Sequence, residues 1–152
     1  SNYKTVFFTL GILQIILGIS MVIPILTQII YSELDSSFIG ASIISIVFGF
    51  LFLLSNLNHD KKLNLQKAFL LTALSWLSIA IFGSLPFIFS NLELSITDSF
   101  FESMSGITTT GSTIISNLEV APRSILVWRA MLQWLGGIGI IVMAITLMPI
   151  MN

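Results

Sequence analysis

Cysteine is absent from this 152-residue chain, which removes disulfides, thiolate nucleophiles and thiolate metal sites. Histidine occurs once, as His59, so a histidine-rich metal centre is excluded. Little then remains from which to build a nucleophile–base pair or a metal constellation, and the chain reads as no enzyme, with no covalently bound cofactor. Charge is scarce too. Only 9% of the residues are Asp, Glu, Lys or Arg, against about 25% in a soluble chain. Six basic residues stand against seven acidic ones for a net charge of −1, and no basic patch interleaved with aromatics invites a nucleic acid.

Apolar residues are abundant. They make up 55% of the chain, and the mean hydropathy is +1.01. A soluble fold this poor in charge would have nothing with which to cover its surface, so the surface is expected to face lipid. Four long apolar segments succeed one another: Tyr3 to Ile30, Phe38 to Leu54, Leu65 to Phe89 and Ser124 to Met148. Each reaches or approaches the ~17–25 residues that cross a bilayer as a helix. Proline punctuates them, with Pro24 late in the first, Pro86 near the end of the third, and Pro122 and Pro149 bracketing the fourth. The first run is too long for a secretory signal peptide, and no small-residue cleavage site comes after it. The opening Ser1-Asn2, without Met, reads as a cut or processed chain.

Orientation is read from Lys and Arg. Lys4, Lys61, Lys62 and Lys67 fall on one side of the expected spans and Arg123 on the other. The positive-inside rule puts the N-terminus and the polar loop around Lys61-Lys62 in the cytoplasm. The short acidic turn with Glu33 and Asp35, and the stretch from Asn91 to Arg123, then face outward.

That stretch is neither a loop nor a span. Helix-start chemistry opens it: Thr97 or Ser99 suits a cap, Asp98 a first turn, and Ser99-x-x-Glu102 a capping box. Phe100, Phe101 and Met104 then give a mainly apolar helix of about 18 Å from Thr97 to Thr108, half a bilayer and so suited to re-entry. Next comes Thr108-Thr109-Thr110-Gly111-Ser112-Thr113, where β-branched residues and a glycine disfavour helix. Glycine lets the backbone turn its carbonyls toward an axis. Such carbonyls can replace the hydration shell of a potassium ion, and the helix C-terminus aimed at it adds a negative dipole. Non-helical backbone at membrane depth is tolerated where it is buried in protein or lines water, as a pore does.

The run from Phe101 to Thr113, FESMSGITTTGST, resembles the first pore loop of the Trk/Ktr potassium transporters. Trp128 to Val142, WRAMLQWLGGIGIIV, is similar to the inner helix after that loop, and the likeness to the bacterial TrkH-type membrane subunit extends over all 152 residues. The resemblance implies an all-α membrane protein with a potassium-channel-like fold. Residues 1–56 would form an N-terminal transmembrane helix pair, 57–67 a cytoplasmic loop, and 68–152 the first pore repeat. Within that repeat the outer helix is expected at about 65–89, the pore helix at about 97–108, the filter at 109–113 and the inner helix at about 123–149. In this family four such repeats in one chain build one pore, so a single repeat supplies one quarter of a selectivity filter and should not conduct alone. By position Thr109 and Thr110 carry ion-coordinating carbonyls and Gly111 is the filter glycine, with potassium as the transported ligand. The family further implies a multi-pass protein of the bacterial cytoplasmic membrane. Its full-length chain would form a homodimer and pair with a cytoplasmic nucleotide-binding regulatory subunit. Transport would be passive or ion-coupled. The rivals are a homotetrameric cation channel, against which the single-glycine TTTGS strand counts, and a non-conducting membrane assembly or regulatory protein.

Several other residues stand out. Arg129, a few residues inside the fourth span, is costly in lipid and calls for a partner, Glu102 or Glu119, or for snorkelling. Glu102 suits either a negative potential at a pore mouth or a packing hydrogen bond. Gly136-Gly137-Ile138-Gly139 lacks the full dinucleotide-loop pattern and setting and reads as close helix packing, as do Gly11/Gly18 and Gly40/Gly49. Trp76, Trp128 and Trp134 suit interface anchors, Trp76 and Trp134 equally an interior position. His59-Asp60-Lys61-Lys62 reads as a solvated loop or as a contact for a regulatory subunit.

Overall fold

The computed structural model describes residues 3–58 and 64–151. Among them every regular element is helical: α1 (Lys4–Ser20), α2 (Val22–Ile30), α3 (Ser37–Ser55), α4 (Leu65–Gly83), α5 (Leu85–Phe89), α6 (Ile96–Ile107), a 3-10 turn (Leu118–Val120) and α7 (Arg123–Met151). The stretches Lys4–Ile30, Ser37–Ser55 and Leu65–Phe89 are long and apolar enough to cross a membrane. The expected fourth span, 124–148, lies within the 29 residues of α7; its side chains at 140, 143, 144 and beyond 145 fall outside those described, as does the 59–63 loop with His59, Lys61 and Lys62. The chain is an all-α membrane protein.

The first and third apolar segments each bend just ahead of a proline. α1 gives way to α2 at Met21, three residues before Pro24, and α4 to α5 at Ser84, two before Pro86. A proline has no N–H for the carbonyl four residues back and crowds it, so the carbonyls of Ser20 and Phe82 lose their helical partners and the axis breaks there.

Small residues set the closest helix pair. A methyl group built on Gly11 of α1 would sit 2.7 Å from the Gly49 carbonyl oxygen of α3, and one on Gly49 would sit 2.8 Å from that of Gly11. Farther along, the Ser42 hydroxyl donates to the Gly18 carbonyl at 2.7 Å. Dispersion between closely opposed backbones replaces the hydrophobic drive that lipid cannot supply. Gly40, by contrast, has only ordinary contact with Phe89. The outward side of these helices is apolar, with Ile16, Ile19, Ile23, Leu26 and Ile30 all exposed, as a lipid-facing surface requires.

A core of Leu17, Met21, Phe38, Phe87, Ile125, Trp128 and Leu132 joins the N-terminal helices to α5 and α7. Trp128 is its centre rather than an interface anchor. It is fully buried, meets Phe38 edge-on at 6.0 Å, and donates from Nε1 to the Gly83 carbonyl at 2.9 Å. A buried indole needs such an acceptor, and α4 supplies it where Pro86 has already disturbed the helical ladder. Trp134 is the exposed tryptophan, at 69%.

The acidic turn between α2 and α3 caps two helices. Asp35 Oδ1 accepts from the Ser37 amide at 2.9 Å and from Gln28 Nε2 at 2.8 Å, at the start of α3. Glu33 accepts from the Arg123 and Ser124 amides at 3.1 and 3.4 Å, while the Arg123 guanidinium lies 4.9 Å from the centre of the Tyr31 ring. Each carboxylate answers the unpaired amides and the positive dipole at a helix N-terminus. Through Glu33 the first two helices hold the starting end of α7.

Candidate functional site: the loop after the half-length helix

α6 is a 12-residue helix, about 18 Å long. Its cap is Ser95, whose hydroxyl accepts from the Asp98 amide at 3.0 Å, so the helix starts at Ile96 and neither Thr97 nor Ser99 caps it. The Ser99–Glu102 capping box does not form either. The Ser99 hydroxyl is buried with no hydrogen-bond partner among the described residues, and Glu102 is turned away toward the chain that leaves the helix. The two faces of α6 are inverted relative to a soluble helix: Ser99, Glu102, Ser103, Ser105 and Gly106 are buried, whereas Ile96 and Phe101 are exposed.

At its far end α6 turns back on itself. The amides of Thr108, Thr109 and Thr110 donate to the carbonyls of Met104, Gly106 and Ser105, each at 2.9 Å, and the Gly111 amide reaches Ser105 at 3.4 Å. Thr109 (φ +57°) and Gly111 (φ +82°) take left-handed conformations to make this possible. Glycine adopts that conformation freely, whereas a β-branched threonine there carries strain on the order of 1–3 kcal/mol. The donors are thereby used up on the helix. Among the described residues nothing donates to the carbonyls of Thr109, Thr110 or Gly111, while the Thr108 carbonyl accepts from the Thr109 hydroxyl at 2.7 Å and the Ser112 carbonyl from the Ser105 hydroxyl at 2.6 Å. Residues 109–114 are exposed, and 110–114 form no regular element. Three consecutive free carbonyls at the negative end of a helix dipole suit a cation stripped of water.

One side chain holds the segment just beyond these carbonyls. Glu102 is buried, and its Oε1 accepts from the Thr113 hydroxyl at 2.5 Å, from the Ile114 amide and from the Ile115 amide at 3.2 Å. Its Oε2 accepts from Arg129 Nε of α7 at 3.1 Å. Of the two partners expected for Arg129, Glu102 is therefore the one it meets. For Glu102 itself the packing role holds, since a carboxylate so enclosed and paired exposes no charge. Without it the Ile114 and Ile115 amides, outside any helix, would lack this acceptor.

α7 crosses the end of α6 at a glycine. A methyl group on Gly136 would fall 1.8 Å from the Ile107 carbonyl oxygen, and one on Gly106 3.1 Å from the Leu132 side chain. Gly137 and Gly139 have open space within 4 Å, so close packing belongs to Gly136 alone of that cluster.

The structure thus brings Thr109, Thr110 and Gly111 together on one exposed turn and adds Glu102, Ser105, Thr113 and Arg129 behind it. Ser105 and the left-handed Thr109 had no signal in the sequence. A carboxylate in the middle of a mainly apolar helix was the signal for Glu102.

A family model described as TrkH, cation transport protein, matches residues 34–152. The Trk system potassium uptake protein TrkH of Halomonas elongata is 40% identical over 92% of this chain and 30% of its own length. The protein of that name from Escherichia coli strain K12 is 38% identical over 99% of this chain and 32% of its own. The crystal structure of the potassium transporter TrkH from Vibrio parahaemolyticus superimposes with a TM-score of 0.91 at 34% identity, covering 98% of this chain and 32% of that one. The chain spans about a third of the length of these relatives. With its half-length helix, its turn of free carbonyls and these matches together, the chain belongs to the TrkH family of cation transport proteins.

Proposed function

We propose that this chain is the pore-forming N-terminal part of a potassium uptake transporter, and that the carbonyls of Thr109, Thr110 and Gly111 form one quarter of its selectivity filter. The observation that carries this reading is the run of three carbonyls left without donors at the C-terminal end of α6. In this reading residues 1–56 are a supporting helix pair, 57–67 a cytoplasmic loop, and 68–152 the first of four pore repeats. α4 with α5 is the outer helix, α6 the pore helix and α7 the inner helix. Relatives about three times this length have room for further repeats in one chain, which favours this arrangement over a homotetramer of short subunits. The N-terminus and the Lys61-Lys62 loop lie in the cytoplasm of a bacterial cell, on the positive-inside rule. The full-length chain works as a homodimer with a cytoplasmic nucleotide-binding regulatory subunit, and potassium is its cargo.

The test is growth of a potassium-uptake-deficient bacterium carrying the complete gene. Restored growth at limiting potassium is the expected result. Failure to restore growth, with the protein present in the membrane and a regulatory subunit supplied, overturns the assignment.

A further inference from the structure

Arg129 places a permanent positive charge close behind the loop that is read as the cation path. Only one carboxylate separates its guanidinium from the Thr113 hydroxyl: Glu102 accepts from Arg129 on Oε2 at 3.1 Å and from Thr113 on Oε1 at 2.5 Å. The Glu102 side chain is fully buried and that of Arg129 is 14% exposed, so water screens the pair little. An unpaired charge about 10 Å from a cation, at an effective dielectric of about 20, changes its binding on the order of tenfold. A pore unit carrying an arginine in this place therefore needs it neutralised. Glu102 does so, and with its other oxygen it gathers the Thr113 hydroxyl and the Ile114 and Ile115 amides.

We propose that Glu102 is a positioning residue with two separable effects on transport: it cancels the field of Arg129 at the ion path, and it fixes the segment 113–115 that lies beyond the ion-coordinating carbonyls. The charge effect acts on apparent affinity, because an uncancelled Arg129 charge weakens cation binding without moving the backbone. The geometric effect acts on discrimination between ions, because preference depends on where carbonyls 109–111 are held. Arg129 in turn ties that segment to α7, so the inner helix and the filter strand share one anchor. The proposal rests on the reading of Thr109–Gly111 as the filter.

The experiment is potassium uptake by the full-length transporter in cells lacking other uptake systems, with membrane level measured for each variant. Glu102→Gln keeps the shape, leaves one oxygen to accept from Thr113 and the Ile114 and Ile115 amides, and gives up the Arg129 contact together with the charge that balances it; the expected result is a KM for potassium raised about tenfold with Vmax changed much less. Glu102→Gln combined with Arg129→Gln removes both charges and should return KM to within about threefold of wild type, a rescue that a purely structural role would not give. Thr113→Val takes away the hydroxyl without burying a charge, and so reports even if the other variants fail to reach the membrane. It should leave KM near wild type and lower the potassium-over-sodium preference severalfold.

An unchanged KM in Glu102→Gln, or no recovery in the double variant, overturns the charge effect. An unchanged ion preference in Thr113→Val overturns the geometric one. Gly111→Val in the same assay separates this proposal from the reading beneath it. If Gly111→Val leaves ion preference intact, the filter assignment fails. If Gly111→Val alters preference while the Glu102 and Thr113 variants behave as wild type, only the positioning role fails.

Discussion

The α1–α3 pair and the α6–loop–α7 unit solve opposite problems with opposite means. The pair is regular helix throughout, so its backbone hydrogen bonds are internal and it needs only close contact, which Gly11, Gly18 and Gly49 provide. It even leaves Gln14 and Ser45 buried with side-chain atoms that have no hydrogen-bond partner among the described residues. The other unit contains backbone that is not helical, and amides there must be answered from elsewhere. Glu102 answers two of them and Arg129 as well, with every contact outside its own helix. One region is held mainly by shape, and the other adds a buried ion pair to its own close contact at Gly136. Membrane helices pack on dispersion, whereas irregular backbone needs dedicated polar partners.

That contrast can be broken at four places. Glu102→Leu should do the most damage, because it strands Arg129 and the Ile114 amide together and leaves the Ile115 amide only the Thr113 hydroxyl; a loss of about 3–5 kcal/mol is expected, read as collapse of the thermal unfolding midpoint in detergent. Next comes Gly136→Ala, which drives a methyl group into the Ile107 carbonyl and should cost about 3 kcal/mol by the same measurement. Gly49→Ala is expected to cost about 1–3 kcal/mol, since α1 and α3 can slide apart slightly with only the Ser42–Gly18 hydrogen bond between them at stake. A Gly49 variant as damaging as the Glu102 variant would erase the distinction between the two regions. Gln14→Leu should have the smallest effect and the opposite sign, a gain of about 1 kcal/mol from removing an unanswered buried amide. Destabilisation there would mean that Gln14 has a polar partner in the assembled transporter.

The apolar helices are legible in the sequence because a span needs only length and low polarity, and the half-length helix is legible because it is too short to span and runs into residues that disfavour helix. The turn at Thr109, Thr110 and Gly111 is legible as the end of the helix, since glycine after β-branched residues marks where helix must stop. The cap of α6 is not. Ser95, Thr97 and Ser99 are chemically alike, and only the direction of the incoming chain makes Ser95 the one that reaches Asp98. The place of Trp128 is hidden for a similar reason: its burial depends on the carbonyl that Gly83 frees 45 residues away, and no local pattern carries that. The Glu33 cap on α7 spans 90 residues and is equally invisible. Local chemistry shows what a residue is able to do, and long-range geometry decides which of several equivalent residues does it.

The filter assignment rests most heavily on Gly111. Its φ of +82° suits glycine, and a side chain there would meet nothing within 4 Å, so a substitution acts by moving the backbone and not by crowding. The decisive measurement is the potassium-over-sodium uptake preference of the full-length transporter carrying Gly111→Val. If carbonyls 109–111 form the filter, uptake is lost or the preference collapses at an unchanged membrane level; wild-type uptake with wild-type preference would contradict that assignment.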